Sequence, residues 1–138
     1  MSSIRILVIE DNAADIELLR FSLDRQGKEY DLEVLQDGEA ALQFVEERRK
    51  GIRTEDPCVI LLDFYLPKFD GLQILTALKL EPAITQVHVI VLSSMTDQLA
   101  EEEIRRLGAN FRLKPVSLGQ YIEFGAEIFA LCDQGVLA

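Results

Sequence analysis

Three carboxylates, one hydroxyl and one ammonium group stand at the ends of successive apolar runs in this sequence. Glu10 and Asp11 follow the run IRILVI, Asp63 follows CVILL, Ser93 follows VHVIVL and Lys114 follows FRL. Carboxylates that lie close together repel one another, and a hard divalent cation such as Mg²⁺ relieves the repulsion. An aspartate carboxylate can also attack phosphorus, while the cation and a lysine neutralise the phosphoryl oxygens. These residues therefore predict a site for Mg²⁺ and a phosphoryl group.

Alternating strands and helices would bring these residues together. Apolar and alternating runs predict strands at residues 4–9, 31–36, 58–62, 87–92 and 111–113. Helical spacing predicts a first helix that follows Asn12 and ends near Gly27, and further helices at 38–49, 72–80, 97–107 and 118–132. Strands that alternate with helices predict an α/β fold with a doubly wound, five-stranded parallel sheet. Open sheets of this kind bind ligands at the carboxyl edge, where the three acids, the serine and the lysine would meet.

The amino-acid composition limits the class of protein and the kinds of partner that we expect. Fourteen basic and twenty-four acidic residues give a net charge of −10, which disfavours nucleic acid and anionic membranes as partners. The sequence shows neither a secretory signal pattern nor an apolar stretch of membrane-spanning length, so we expect a cytoplasmic protein. Residues 1–138 are expected to form a single domain with no output domain. Cys58 is expected to be a buried thiol, and no disulfide with Cys132 is predicted.

Five short motifs, in order along the chain, resemble those of response-regulator receiver domains. They are IED, LLDFYLP, DG, VLSS and LKP, and the resemblance extends from about residue 4 to residue 132. It implies a (βα)5 fold with the flavodoxin-like strand order 2-1-3-4-5. It also implies that Asp63 accepts a phosphoryl group from a histidine kinase in a Mg²⁺-dependent reaction. Such a protein is a signalling module that catalyses its own phosphorylation and dephosphorylation, and not an enzyme in the usual sense.

The resemblance assigns metal ligands as well. It implies that Asp11 and Asp63 bind Mg²⁺ directly, that the backbone carbonyl of Tyr65 completes the protein ligands, and that Glu10 acts mainly through water. Tyr65 is bulky, and Ser94 stands where alanine or glycine is commoner. We therefore predict a narrow approach for water and slow hydrolysis of the acyl phosphate.

The resemblance also assigns roles to residues in the last two predicted strands and directly after them. Ser93 and Phe111 would be the switch pair, and Lys114 would bind the phosphoryl group. The bond between Lys114 and Pro115 is expected to be cis. The opening IEDNAADIELL resembles that of the stand-alone regulators that serve bacterial phytochrome histidine kinases.

The same residues also allow other interpretations. Glu10 and Asp11 could cap a helix, and the chain could be a degenerate receiver that binds proteins without phosphorylation. An aspartyl phosphatase would carry a second acid two residues after Asp63, where Tyr65 stands. A nucleotide or flavin module would need a glycine-rich loop after a strand, which the sequence lacks.

The predicted last helix has an unusually broad apolar surface. Its two apolar stripes are Tyr121, Phe124, Ile128 and Leu131, and Ile122, Gly125 and Phe129. Such an arc is too broad for a helix with one solvated side. It predicts either a wide contact with the core or a homodimer through the face formed by residues 97–107, 111–113 and 118–132.

Overall fold

The computed structural model describes residues 4–84 and 86–137, which form alternating strands and helices. The strands are β1 (Ile4–Ile9), β2 (Tyr30–Leu35), β3 (Val59–Asp63), β4 (His88–Ser93) and β5 (Asn110–Leu113). The helices are α1 (Ala13–Asp24), α2 (Gly38–Arg49), α3 (Gly71–Leu80), α4 (Gln98–Arg106) and α5 (Leu118–Leu137), with a 3₁₀ turn at Pro82–Ile84. The predicted elements are all present, and α5 continues five residues beyond its predicted end at Cys132.

The five strands are parallel and lie in the order β2-β1-β3-β4-β5, as predicted. Their register aligns the strand ends. Ile9 is paired with Leu62, Asp63 with Leu92, and Ser93 with Leu113. Because each pair stands at or next to a strand end, the polar residues that follow meet at one edge of the sheet.

Hydrophobic side chains cover both faces of the central strands. β3 is buried along its whole length, which explains its unbroken apolar sequence. On one face, Ile60 and Leu62 pack with side chains of α2, α3 and α4. On the other face, Val59 and Leu61 pack with side chains of α1 and α5. These two layers hold the carboxyl edge of the sheet in a fixed geometry.

Asparagine and aspartate side chains cap the first four helices. The side chain of Asn12 accepts a hydrogen bond from the Asp15 amide at the start of α1. Asp37, Asp70 and Asp97 cap the next three helices in the same way. Since Asn12 is the cap of α1, the side chains of the two acids before it remain available to the sheet edge.

The two apolar stripes of α5 are largely buried within the chain. Tyr121, Phe124, Ile128 and Phe129 are each at most 5% exposed. Gly125 lies against α1, where an added Cβ would overlap the hydroxyl of Ser22. A wide contact with the sheet and α1 therefore accounts for the breadth of the apolar arc.

The prediction of a cis bond before Pro115 was wrong. No cis peptide bond occurs in the described part of the chain, so the bond between Lys114 and Pro115 is trans. A trans bond is the lower-energy form even before proline. The lysine side chain reaches the carboxylates at the sheet edge with this bond in place.

The prediction of unpaired cysteines was also wrong. The sulfur atoms of Cys58 and Cys132 form a disulfide, with the two Cα atoms 5.7 Å apart. Cys132 is 1% exposed, because the later turns of α5 pack beside the start of β3. A sequence separation of 74 positions hides this proximity from the sequence.

Among residues 4–84 and 86–137, we find no helix whose length and apolar character would let it cross a membrane.

Candidate functional site

An open cleft of about 570 Å³ lies at the carboxyl edge of the sheet. Its walls come from the ends of β1 and β3, the start of α1, and the segments that follow β4 and β5. It is lined by Glu10, Asp11, Asn12, Ala13, Ala14, Asp63, Tyr65, Ser94 and Lys114. The structure therefore brings the predicted acids and the predicted lysine together in one place.

The three predicted acids form a cluster suited to a divalent cation. One carboxylate oxygen from each of Glu10, Asp11 and Asp63 lies within 4.8 Å of the others. Glu10 and Asp63 are buried, whereas Asp11 is exposed to solvent. A hard cation that keeps several water ligands fits an all-oxygen site with one open side.

Glu10 sits between positive and negative neighbours. Its Oε1 lies 2.7 Å from the Lys114 ammonium, and its Oε2 accepts a hydrogen bond of 3.2 Å from the Asn12 amide. Burial raises the pKa of Glu10 to about 7, and the nearby Asp63 carboxyl adds to the rise, whereas Lys114 opposes it. Without a cation, this carboxyl is therefore only partly ionised near neutral pH.

Lys114 contacts three carboxylates at once. Its Nζ lies 2.7 Å from Glu10, 2.8 Å from Asp15 and 3.5 Å from Asp63. Burial alone would lower the pKa of Lys114, but hydrogen bonds to Asp15 and Glu10 and the charge of Asp63 raise it above its ordinary value. The ammonium therefore stays protonated. The backbone amide of Lys114 donates to the carbonyl of Ser93 over 2.8 Å, which fixes the lysine beside β4.

Asp63 is oriented from two sides. Its Oδ1 accepts a 3.2 Å hydrogen bond from the Tyr65 amide, and its Oδ2 faces Lys114. The Tyr65 side chain is 41% exposed, lines the cleft and contacts Phe64 edge-on, with ring centroids 5.2 Å apart. The bulky ring predicted beside Asp63 is thus present at the mouth of the site.

The two predicted switch residues lie on neighbouring strands. Ser93 is buried, and its hydroxyl donates to the Met95 carbonyl over 2.6 Å and accepts from the Met95 amide over 3.2 Å. Phe111 is half-buried and packs on the hydrophobic layer beneath α4. Phe111 also lines a groove with Ser94 and Lys114 between β5 and α5.

Sequence reasoning missed Asp15. It lies on the first turn of α1, four residues after Asp11, and turns one oxygen towards Lys114. The signal available in the sequence was this helical spacing after the acidic pair. An acid on the first turn of a helix is common for reasons of capping and helix dipole, so the spacing alone carried no assignment.

The chain is similar in sequence to known response regulators. A family model described as a response regulator receiver domain matches residues 6–123. The chain is 34% identical over 116 residues to a probable methanogenesis regulatory protein, FilR2, of Methanothrix harundinacea, covering 81% of this chain and 72% of that protein. It is 35% identical over 89 residues to the response regulator Rcp1 of Synechocystis sp., covering 64% of this chain and 60% of Rcp1.

Two solved structures have the same fold over nearly the whole chain. The phosphorylated cyanobacterial phytochrome response regulator RcpA is similar with a TM-score of 0.81 and 27% identity, over 92% of this chain and 91% of that one. The Mn²⁺-bound form of Rcp1 gives a TM-score of 0.79 and 28% identity, over 91% of both chains. The chain therefore belongs to the response-regulator receiver domains, signalling modules that switch by phosphorylation and work with histidine kinases.

Proposed function

We propose that this receiver domain takes a phosphoryl group from a sensor histidine kinase onto Asp63 with the help of Mg²⁺. The observation that carries the proposal is that Asp63 belongs to the acidic cluster that could hold a cation and also lies 3.5 Å from the Lys114 ammonium. Asp11, Asp63 and the Tyr65 carbonyl would hold the cation directly, and Glu10 through water. Bound Mg²⁺ supplies positive charge to the phosphoryl oxygens.

The chain itself catalyses both gain and loss of the phosphoryl group in this proposal. A carboxylate oxygen of Asp63 attacks the phosphorus of a phosphohistidine, the P–N bond breaks, and the leaving imidazole takes up a proton. Lys114 neutralises charge on the transferred group, and the Ser93 hydroxyl donates a hydrogen bond to it. In a separate step, water attacks the phosphorus, the P–O bond to Asp63 breaks, and inorganic phosphate, a proton and the free Asp63 carboxylate are released. The degenerate-receiver and phosphatase alternatives gain no support from the intact set of residues.

Phosphorylation would then switch the position of Ser93 and Phe111. The Ser93 hydroxyl is bonded to the Met95 carbonyl in this structure, so it must leave that carbonyl to reach a phosphoryl group. The Phe111 ring would move into the vacated space, since it needs no buried polar partner. The surface of α4, β5 and α5 is the one that we expect to change.

The kinase partner that we propose is a bacterial phytochrome, in the cytoplasm. The support is the similarity to RcpA, a cyanobacterial phytochrome response regulator in phosphorylated form. A homodimer is a further part of the proposal. Because the α5 stripes are buried, a dimer would use exposed apolar side chains on that face and directly beside it instead. These are Leu99, Leu113, Val116 and Leu118, which are 80%, 53%, 87% and 49% exposed.

Binding of beryllofluoride, a stable mimic of the phosphoryl group, tests the site directly. We expect wild type to bind it only with Mg²⁺, as followed by ¹⁹F NMR, and Asp63→Asn to bind none. Asp31→Asn removes an exposed carboxyl from β2 and is a matched control that should behave as wild type. Equal binding by Asp63→Asn and wild type would contradict the assignment of Asp63.

A further inference from the structure

Lys114 is shared between the proposed phosphorylation site and a carboxylate that lies outside it. The ammonium is closer to Asp15, at 2.8 Å, than to Asp63, at 3.5 Å. The Lys114 side chain is 15% exposed and that of Asp15 26%, so this pair is only partly screened by water. In this state the lysine is held mainly by other carboxylates than the one that would be phosphorylated.

Asp15 differs from the other partners of Lys114 in its surroundings. Within the described residues, the cluster that could hold a cation contains Glu10, Asp11 and Asp63, and not Asp15. A cation bound there would draw the charge of Glu10 and Asp63 towards itself. Asp15 would then be the carboxylate left to hold the ammonium.

The position of Asp15 is fixed by α1 and by α5. Its backbone amide donates to the Asn12 side chain over 3.1 Å, which sets the first turn of α1. Its Oδ1 accepts a 3.3 Å hydrogen bond from the hydroxyl of Tyr121, while its Oδ2 contacts Lys114. Tyr121 lies in α5 and is 5% exposed, and its carbonyl accepts a hydrogen bond from the Ser22 hydroxyl of α1. Asp15 therefore connects Lys114 to the last helix.

We propose that Asp15 is a positioning residue that acts through Lys114, and this proposal rests on the function proposed above. In the unphosphorylated protein Asp15 holds the ammonium away from Asp63. A phosphoryl dianion at Asp63 attracts the ammonium more strongly than a single carboxylate does, so Lys114 leaves Asp15. The Asp15 carboxylate, which accepts the hydrogen bond of the Tyr121 hydroxyl, is then no longer fixed by Lys114. The change reaches α5 through Tyr121.

The first test is the affinity for beryllofluoride at saturating Mg²⁺. Asp15→Asn removes the competing charge and keeps the shape and the backbone amide that Asn12 caps. We expect this variant to bind about fivefold more tightly than wild type, the factor that corresponds to loss of a partly screened ion pair. Asp15→Glu restores the carboxylate and should return the affinity towards the wild-type value.

A neighbouring acid provides the matched control for general charge effects. Glu17 lies two residues further along α1, and its side chain is 75% exposed. Glu17→Gln removes the same unit of charge without touching Lys114, so its affinity should stay within about twofold of wild type. An Asp15→Asn affinity no greater than that of Glu17→Gln would overturn the proposal.

The second test follows Tyr121, which a merely local role for Asp15 would leave unaffected. With ¹³C-labelled tyrosine, we expect the Tyr121 ring resonance to shift when beryllofluoride binds to wild type. In Asp15→Asn the same addition should leave that resonance within the line width. An equal shift in both proteins would overturn the connection to α5.

Different results would contradict the proposed function and the role of Asp15. If wild type binds no beryllofluoride, or Asp63→Asn binds it equally well, the proposed function is wrong and the role of Asp15 falls with it. If wild type and Asp63→Asn behave as expected while Asp15→Asn resembles Glu17→Gln, only the role of Asp15 is wrong.

Discussion

At the carboxyl edge of the sheet, the chemistry depends on how charge is distributed among a few buried groups. Glu10 and Asp63 lie within reach of one another, and Lys114 is the cation that separates them in this structure. A bound divalent cation would relieve the same repulsion more completely. Affinity for the cation and stability without it should therefore both depend on Glu10.

The protonation of Glu10 predicts how stability changes with pH in a metal-free protein. Its pKa is raised from 4.5 to about 7, so the folded state binds the proton more tightly than the unfolded state. The stabilisation is complete below pH 4.5 and is lost as the pH rises through about 7. Between about pH 5 and pH 7.5 we expect the free energy of unfolding to fall by about 2 kcal/mol from this group.

Urea unfolding in the presence of a chelator measures this dependence. Glu10→Gln cannot ionise and should lack this part of the fall. Parallel pH profiles for the two proteins would show that Glu10 titrates normally.

The Tyr65 side chain should lengthen the lifetime of the acyl phosphate. Its ring stands at the mouth of the cleft beside Asp63 and should hinder the attacking water. We expect Tyr65→Ala to hydrolyse its phosphoryl group roughly fivefold faster, a change of about 1 kcal/mol in the barrier. Tyr65→Phe keeps the ring and should match wild type, as measured by the decay of the phosphorylated mass. Equal rates for Tyr65→Ala and wild type would rule out the ring as the obstacle.

At the scale of elements, the sequence predicts what is local and misses what depends on distant contacts. The unbroken apolar run before Asp63 predicts a central parallel strand, which places the acid that follows it at the sheet edge. The apolar spacing of α5 ends near Cys132, whereas the helix continues past it to Leu137. Asp15 was missed because the residues that it contacts are distant in the sequence. Lys114 is 99 positions away and Tyr121 is 106 positions away.

The contact between α1 and α5 can be tested at its tightest point. An added Cβ at Gly125 would overlap the Ser22 hydroxyl and lie 3.0 Å from the Ser22 carbonyl oxygen. Gly125→Ala should therefore lower the free energy of unfolding by about 1–3 kcal/mol, although alanine favours helices. Gly119→Ala in the same helix meets nothing within 4 Å and should be neutral or stabilising by up to about 1 kcal/mol. Equal effects of the two changes would mean that the helices are not in close contact at Gly125.

At the scale of the whole molecule, the disulfide joins the start of β3 to α5. The closed loop runs from Cys58 to Cys132, and it contains Asp63, Ser93 and Lys114. Every strand end of the proposed site except that of β1 therefore lies within it. Reduction of the disulfide would open this loop.

Reduction should lower the stability of the whole domain. For a loop of this length, with a separation of 74 residues, the entropy of the unfolded chain predicts a loss of about 4 kcal/mol on reduction. Urea unfolding with and without dithiothreitol measures it, and Cys58→Ser with Cys132→Ser should be insensitive to the reductant. Two alkylatable thiols in the folded, unreduced protein would contradict the pairing.

The central claim is that Asp63 accepts a phosphoryl group in a cation-dependent reaction. Intact-protein mass after incubation with acetyl phosphate, with and without Mg²⁺, tests it most directly. We predict a gain of one phosphoryl group in wild type with Mg²⁺, and no gain without Mg²⁺ or in Asp63→Asn. The same gain in Asp63→Asn, or a gain in wild type that does not need Mg²⁺, would contradict the account.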